Sequence, residues 1–131
     1  MSDSRENLVK QEEDCIKRYK ADLEQIYQRQ DDAKWHRRFL ESADEQIRFD
    51  TKQVYDQLES YSNTRDLRLL QTMISCQNQV CSIQAESERF FTQELEDLSL
   101  VQKKLENELD DREREYNREL SRLKESARQH R

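Results

Sequence analysis

The chain has 131 residues with no Gly and no Pro, 40% charged and 33% hydrophobic side chains, and a net charge of -6. Without Gly, phosphate-cradling loops and most tight β-hairpins are excluded, because both need backbone conformations that Gly supplies. With a net negative charge and both signs interspersed, nucleic acid is not an expected partner, and the apolar runs are too short for a membrane-spanning helix.

The opening segment is acid-rich, with Asp3, Glu6, Glu12, Glu13 and Asp14 against Arg5 and Lys10. Acid there complements the positive end of a helix dipole, and Ser2 or Ser4 can cap the helix. Helix 1, about 5–61, has one position that stays apolar or aromatic at every seventh residue: Tyr19, Ile26, Ala33, Leu40, Ile47, Val54, Tyr61. Its companion position begins with Ile16 and Leu23, turns polar through Gln30, Arg37, Asp44 and Thr51, and recovers at Leu58.

The pattern breaks at Ser60-Tyr61-Ser62-Asn63-Thr64-Arg65-Asp66. Asn63 is the expected left-handed helix end and Thr64 the expected cap of the next helix. The alternative is one uninterrupted helix of about 190 Å at 1.5 Å per residue.

Helix 2, about 65–127, carries the stripe Leu67, Leu70, Ile74, Cys81, Phe91, Leu95, Leu98, Leu105, Leu109, Tyr116, Leu123. It ends basic, with Arg112, Arg114, Arg118, Arg122, Lys124, Arg128 and Arg131. Folded back, this basic end would lie beside the acidic start of helix 1. The fold class is therefore all-α: residues 1–131 form a single long antiparallel two-helix hairpin of coiled-coil character.

The seam is ambiguous at mid-length. A strict heptad reading of helix 2 puts Gln77, Gln84 and Glu88 inward, whereas a second line, Leu69, Met73, Cys76, Val80, Ile83 and Phe90, is apolar. Joining that line to Phe91, Leu95 and Leu98 requires a stutter. Helix 1 has a matching option in His36, Ala43 and Asp50. Either the core is locally unwound, or the face is wider than one helix covers and is reserved for another protein. Trp35 and Phe49 lie off the hairpin seam, with Phe39 flanking it, and grouped aromatics of this kind mark interfaces. The candidate partner-binding residues are Trp35, Phe39, Phe49, Leu69, Met73, Val80, Ile83, Phe90 and Phe91.

Little else carries chemistry. Cys76 and Cys81 have neither zinc-knuckle nor redox spacing and read as small core residues, and Cys15 is distant in sequence. Asp32 precedes His36 by one helical turn, but one His with one carboxylate is a solvated pair rather than a metal site. His130 belongs to a fraying end. No nucleophile–base set assembles, so no catalytic, cofactor or metal residue is assigned and the chain is expected not to be an enzyme. Three cysteines, an odd number, and an N-terminus without an apolar core fit the cytoplasm. Tyr27…Asp31 and Tyr55…Glu59 match the Tyr–acid spacing of type VII export signals, yet such short matches arise by chance among five Tyr and 29 acidic residues.

A resemblance sharpens this reading. The run Phe90-Phe91-Thr92-Gln93-Glu94-Leu95-Glu96-Asp97-Leu98, the following Lys103-Lys104-Leu105-Glu106-Asn107-Glu108-Leu109, and the Gly- and Pro-free two-helix plan resemble the Lap family. These are small α-helical proteins encoded beside LXG-domain toxins of type VII secretion and similar to WXG-type hairpins. This chain lacks the Trp-x-Gly turn, and its Phe-x-x-x-acid element, Phe90…Glu94, carries Glu rather than Asp. The resemblance implies a targeting chaperone that binds the helical N-terminal domain of a secreted toxin, together with a second small helical protein, and promotes its export. It also implies a cytoplasmic protein that can leave the cell with its partner. The alternative, from another class, is a coiled-coil stalk component of a flagellar or injectisome-type export apparatus.

Overall fold

The computed structural model describes residues 2–129, without the side chain of Ser2; the expectation for His130 lies outside them. The chain is all-α, with two long helices, α1 (Ser2–Glu59) and α2 (Leu67–Gln129), packed against each other as a hairpin. Both helices begin and end within two or three residues of the positions expected from the sequence, the scatter usual at frayed ends. Ser4 lies inside α1 rather than before it, so it is not the cap.

The turn is built differently from the expectation. Among the described residues none has positive φ, so Asn63 does not supply a left-handed helix end. The end of α1 instead tightens into three-residue steps: the amides of Tyr61, Ser62 and Thr64 donate to the carbonyls of Leu58, Glu59 and Tyr61 at 3.1, 2.9 and 3.0 Å. Such i→i+3 bonds satisfy the last carbonyls of a helix without a left-handed residue, which suits a chain without Gly. The cap of α2 is Asp66, not Thr64. Its Oδ1 accepts from the amides of Arg68 and Leu69 at 3.0 and 3.4 Å. Thr64 acts one step earlier, its Oγ1 accepting from the Asp66 amide at 3.2 Å and so presenting the capping carboxylate.

Two compact units share these helices. The first joins the chain through Ala33 to the chain from Leu100 onward; the second is Lys34–Ser99 and contains the turn. In the first unit Arg18 pairs with Glu119 at 2.8 Å, Asp22 with Arg112 at 3.9 Å and Arg29 with Glu108 at 2.9 Å. Numbers rise along α1 as they fall along α2, so the pairing is antiparallel. The acidic start of α1 and the basic end of α2 do come together, Asp14 and Arg122 lining one cleft, but the ion pairs do not repeat that sense. Two of these pairs set a base of α1 against an acid of α2, and only Asp22–Arg112, the longest, runs the other way. The ions lie at the solvated rim, where each pair contributes about 0.2–1 kcal/mol at most.

Burial follows the heptads of α1 from Tyr19 to Ile47 and of α2 from Phe91 onward, while Cys15 and Met73 are buried off those lines and Leu67, Ile74 and Cys81 of the stripe are exposed. Cys15, Ile26, Ala33, Leu105 and Leu123 are buried in the first unit, and Leu105, 1% exposed, is its most enclosed side chain. Leu40, Met73, Phe91 and Leu98 are buried in the second. Helix α1 keeps closest to the strict register, polar positions included: Arg37, Asp44 and Thr51 are half-buried, whereas of the alternative set only Ala43 is half-buried and His36 and Asp50 are exposed. The polar seam is satisfied locally. Arg37 donates to Ser99 Oγ at 2.7 Å, and Thr51 Oγ1 donates to the Ile47 carbonyl at 2.8 Å. Arg48 reaches Asp44 at 3.2 Å. Near the turn the register slips by one, so that Tyr55 is half-buried and Val54 exposed.

Candidate partner-binding surfaces

The second unit holds every candidate binding residue, and the structure sorts them into three groups. Met73 and Phe91 are buried and Val80 is half-buried, so these three are spent on the hairpin's own core. This corrects their assignment to a free surface. Leu69, Ile83 and Phe90 are exposed along the flank of the α2 seam, and the Phe90 ring meets Phe91 edge-on with centroids 5.4 Å apart. Trp35, Phe39 and Phe49 are exposed on α1, at 69%, 71% and 57%. Of the two inward readings of α2, neither is adopted whole. Met73, Cys76, Gln77 and Val80 turn inward, while Ile74, Cys81, Ile83, Gln84 and Glu88 do not.

Why Trp35 and Phe49 face away follows from helix geometry. Trp35 lies two residues after Ala33 and two before Arg37, and Phe49 stands likewise between Ile47 and Thr51. A step of two is about 200° of helix, so a residue midway between seam positions points opposite the seam. Arg38 lies over the Trp35 ring, its guanidinium carbon 5.6 Å from the ring centroid. The two aromatic groups thus belong to different helices, those of α1 on its back and those of α2 beside its seam.

The sequence reading passed over the strongest feature of this unit. From Leu69 to Ala85 α2 carries no charged residue at all, in a chain that is 40% charged. Solvent-facing helices keep charges on the outside, and charge depletion with exposed apolar side chains is the mark of an interface core. On the outer side of this stretch Gln71, Ser75, Asn78 and Ser82 form a shallow groove bounded by Ile74 and Ile83. A count of charges along a sliding window would have found it; apolar periodicity could not, because most of the lining is polar.

In the first unit Cys15 and Tyr19 sit in a cleft with Arg18, Asp22, Arg112, Glu115, Tyr116 and Glu119. Burial, and then Glu119, which also accepts a hydrogen bond from the thiol, push the Cys15 thiol above its ordinary value. Burial, and then Glu113, push Tyr19 the same way. Both groups are held in their protonated forms, so Cys15 is a poor nucleophile and packs as a small apolar residue. Cys81 is the exposed thiol and Cys76 is half-buried. Among the described residues, no helix is long and apolar enough to cross a membrane. No family model matches the chain, and no curated protein or solved structure matches it.

Proposed function

We propose that this chain is a non-catalytic helical binding protein whose second unit receives a helical segment of another protein along Leu69–Ala85 of α2. One observation carries the reading: an uncharged run with Leu69, Ile74 and Ile83 exposed, on a helix that elsewhere alternates charge. Uncharged amides and hydroxyls cost far less to desolvate than carboxylates or ammonium groups. A helix laid into the Gln71–Ser82 groove therefore gains apolar contact with Ile74 and Ile83 without stranding an ion.

The finer reading rests on the resemblance of Phe90–Leu98 and Lys103–Leu109 to the Lap family. On that basis the partner is the helical N-terminal domain of a type VII-secreted LXG toxin. The chain is its targeting chaperone, acting in the cytoplasm and leaving with the cargo. The test is co-purification of the chain with a tagged LXG N-terminal domain encoded beside it. Ser75→Glu with Ser82→Lys, both at exposed groove positions, should abolish capture while leaving helicity unchanged. Undiminished capture by that variant would refute the α2 site; recovery of an export-apparatus component in place of the toxin domain would favour the stalk reading.

A further inference from the structure

The back of α1 carries a second heptad seam that the hairpin does not use. Trp35, Phe39, Ser42, Gln46, Phe49 and Gln53 follow one another at alternating steps of four and three, and all are uncharged and exposed. Ser42, midway between Leu40 and Asp44, lies opposite the hairpin seam, as Trp35 and Phe49 do. Alternating steps of four and three on one helix face are the spacing by which one helix receives another. One flank of this seam is charged throughout, with Arg38, Glu45 and Lys52, and the other carries His36, Ala43 and Asp50.

We infer that this seam pairs with the same seam of a second copy of the chain, antiparallel, so that Arg38 of each copy faces Glu45 of the other. Flanking positions of an antiparallel pair meet their own equivalents across a two-fold axis, so one sequence must supply both signs at one heptad position. Arg38 and Glu45 do so, and the axis repeats their ion pair. In this register Phe39 covers the short Ser42 of the second copy and Trp35 lies beside its Gln46, so the shared part of the seam is Trp35–Gln46, and Phe49 and Gln53 lie beyond it. A parallel, in-register copy would instead set Glu45 against Asp50, two like charges on one flank. The charge order thus selects the antiparallel arrangement. The guanidinium of Arg38 already lies over Trp35, which places it at the edge of the seam where the second copy's carboxylate would come. This surface is on α1, separate from the α2 groove, and does not depend on the function proposed above.

The test is sedimentation of the full chain over micromolar to submillimolar concentrations, with two charge reversals. Arg38→Glu alone creates Glu–Glu pairs, and Glu45→Arg alone creates Arg–Arg pairs; each should weaken the dimer about tenfold. An equimolar mixture of the two variants should restore it, because the mixed dimer regains opposite charges at both pairs. The doubly substituted chain should restore it as well. A wild-type chain that stays monomeric throughout overturns the inference. So does a dimer whose mixed variants associate no better than either variant alone. Because the mixture contains only the two single variants, its recovery also shows that both are folded.

Discussion

Tyr19 of α1 and Tyr116 of α2 stack across the first unit, their ring centroids 4.1 Å apart and their planes 12° from parallel. The rings are the widest side chains on this stretch of the seam, and they join positions that the heptad pattern assigns independently to each helix. Cys15 and Glu119 line the same cleft. The stack lies in the seam itself, whereas the ion pairs Arg18–Glu119 and Asp22–Arg112 lie at its solvated rim.

The coupling between the two rings is measurable. Tyr19→Ala and Tyr116→Ala should each destabilise the chain, and in a double-mutant cycle the pair should retain about 0.5–1.5 kcal/mol of interaction beyond its buried area. Urea denaturation followed by circular dichroism gives the four stabilities. Strict additivity would show that the rings touch without stabilising each other.

Stability should fall in alkali. The folded chain holds Cys15 above an ordinary value of 9.0 and Tyr19 above 10.0, burial being the first cause for both. Above those ordinary values the unfolded chain has lost protons that the folded chain keeps, so raising the pH favours unfolding. The contribution is intact below the unfolded values and is lost progressively as the pH rises toward the folded ones. Denaturation midpoints on either side of pH 9.0 should show the decline, and Cys15→Ala should remove its earlier part. A thiol reagent should also modify the exposed Cys81 well before the buried Cys15.

The turn offers a direct comparison of caps. Asp66→Ala removes the acceptor for the amides of Arg68 and Leu69 and should cost about 0.5–2 kcal/mol. Asn63→Gly should bring no gain, since no residue of the turn has the positive φ at which Gly helps. Thermal denaturation of both variants checks this; a stabilised Asn63→Gly chain would mean that the turn adopts a left-handed residue after all.

The heptads Tyr19 to Ile47 and Phe91 to Leu123 were legible in the sequence because burial in a hairpin reduces to a repeat of seven, and the helices follow it. Whether Arg37, Asp44 and Thr51 or His36, Ala43 and Asp50 continue the seam was not decided by the pattern, since each set is one residue from the other and mostly polar. What periodicity could not reach was choice among near-equal options. Asp66, Thr64 and Asn63 are all plausible at a helix boundary, and only the hydrogen bonds decide between them. Cys15 beside Ile16 is a similar case: both are near the seam, and the Tyr19–Tyr116 stack accompanies a seam wide enough to bury the thiol. The exposed aromatics of α1 were found from their offset to the seam, whereas Met73 and Val80 were assigned to a binding face because an apolar line does not say which side of it is covered, and Phe91 stood both in the seam and among the binding residues. The groove at Gln71–Ser82 was missed because most of its lining is polar.

The most direct test of the central claim is amide hydrogen exchange on the full chain, alone and mixed with the partner proposed for it, a helical N-terminal domain of an LXG toxin. A helix docked on the uncharged stretch should slow exchange most strongly between Leu69 and Ala85, where the free chain exposes the backbone of a helix with little outer cover. Protection centred there, and lost with Ser75→Glu and Ser82→Lys, is the predicted result. Protection confined to the first unit, or none on either helix, would contradict the account.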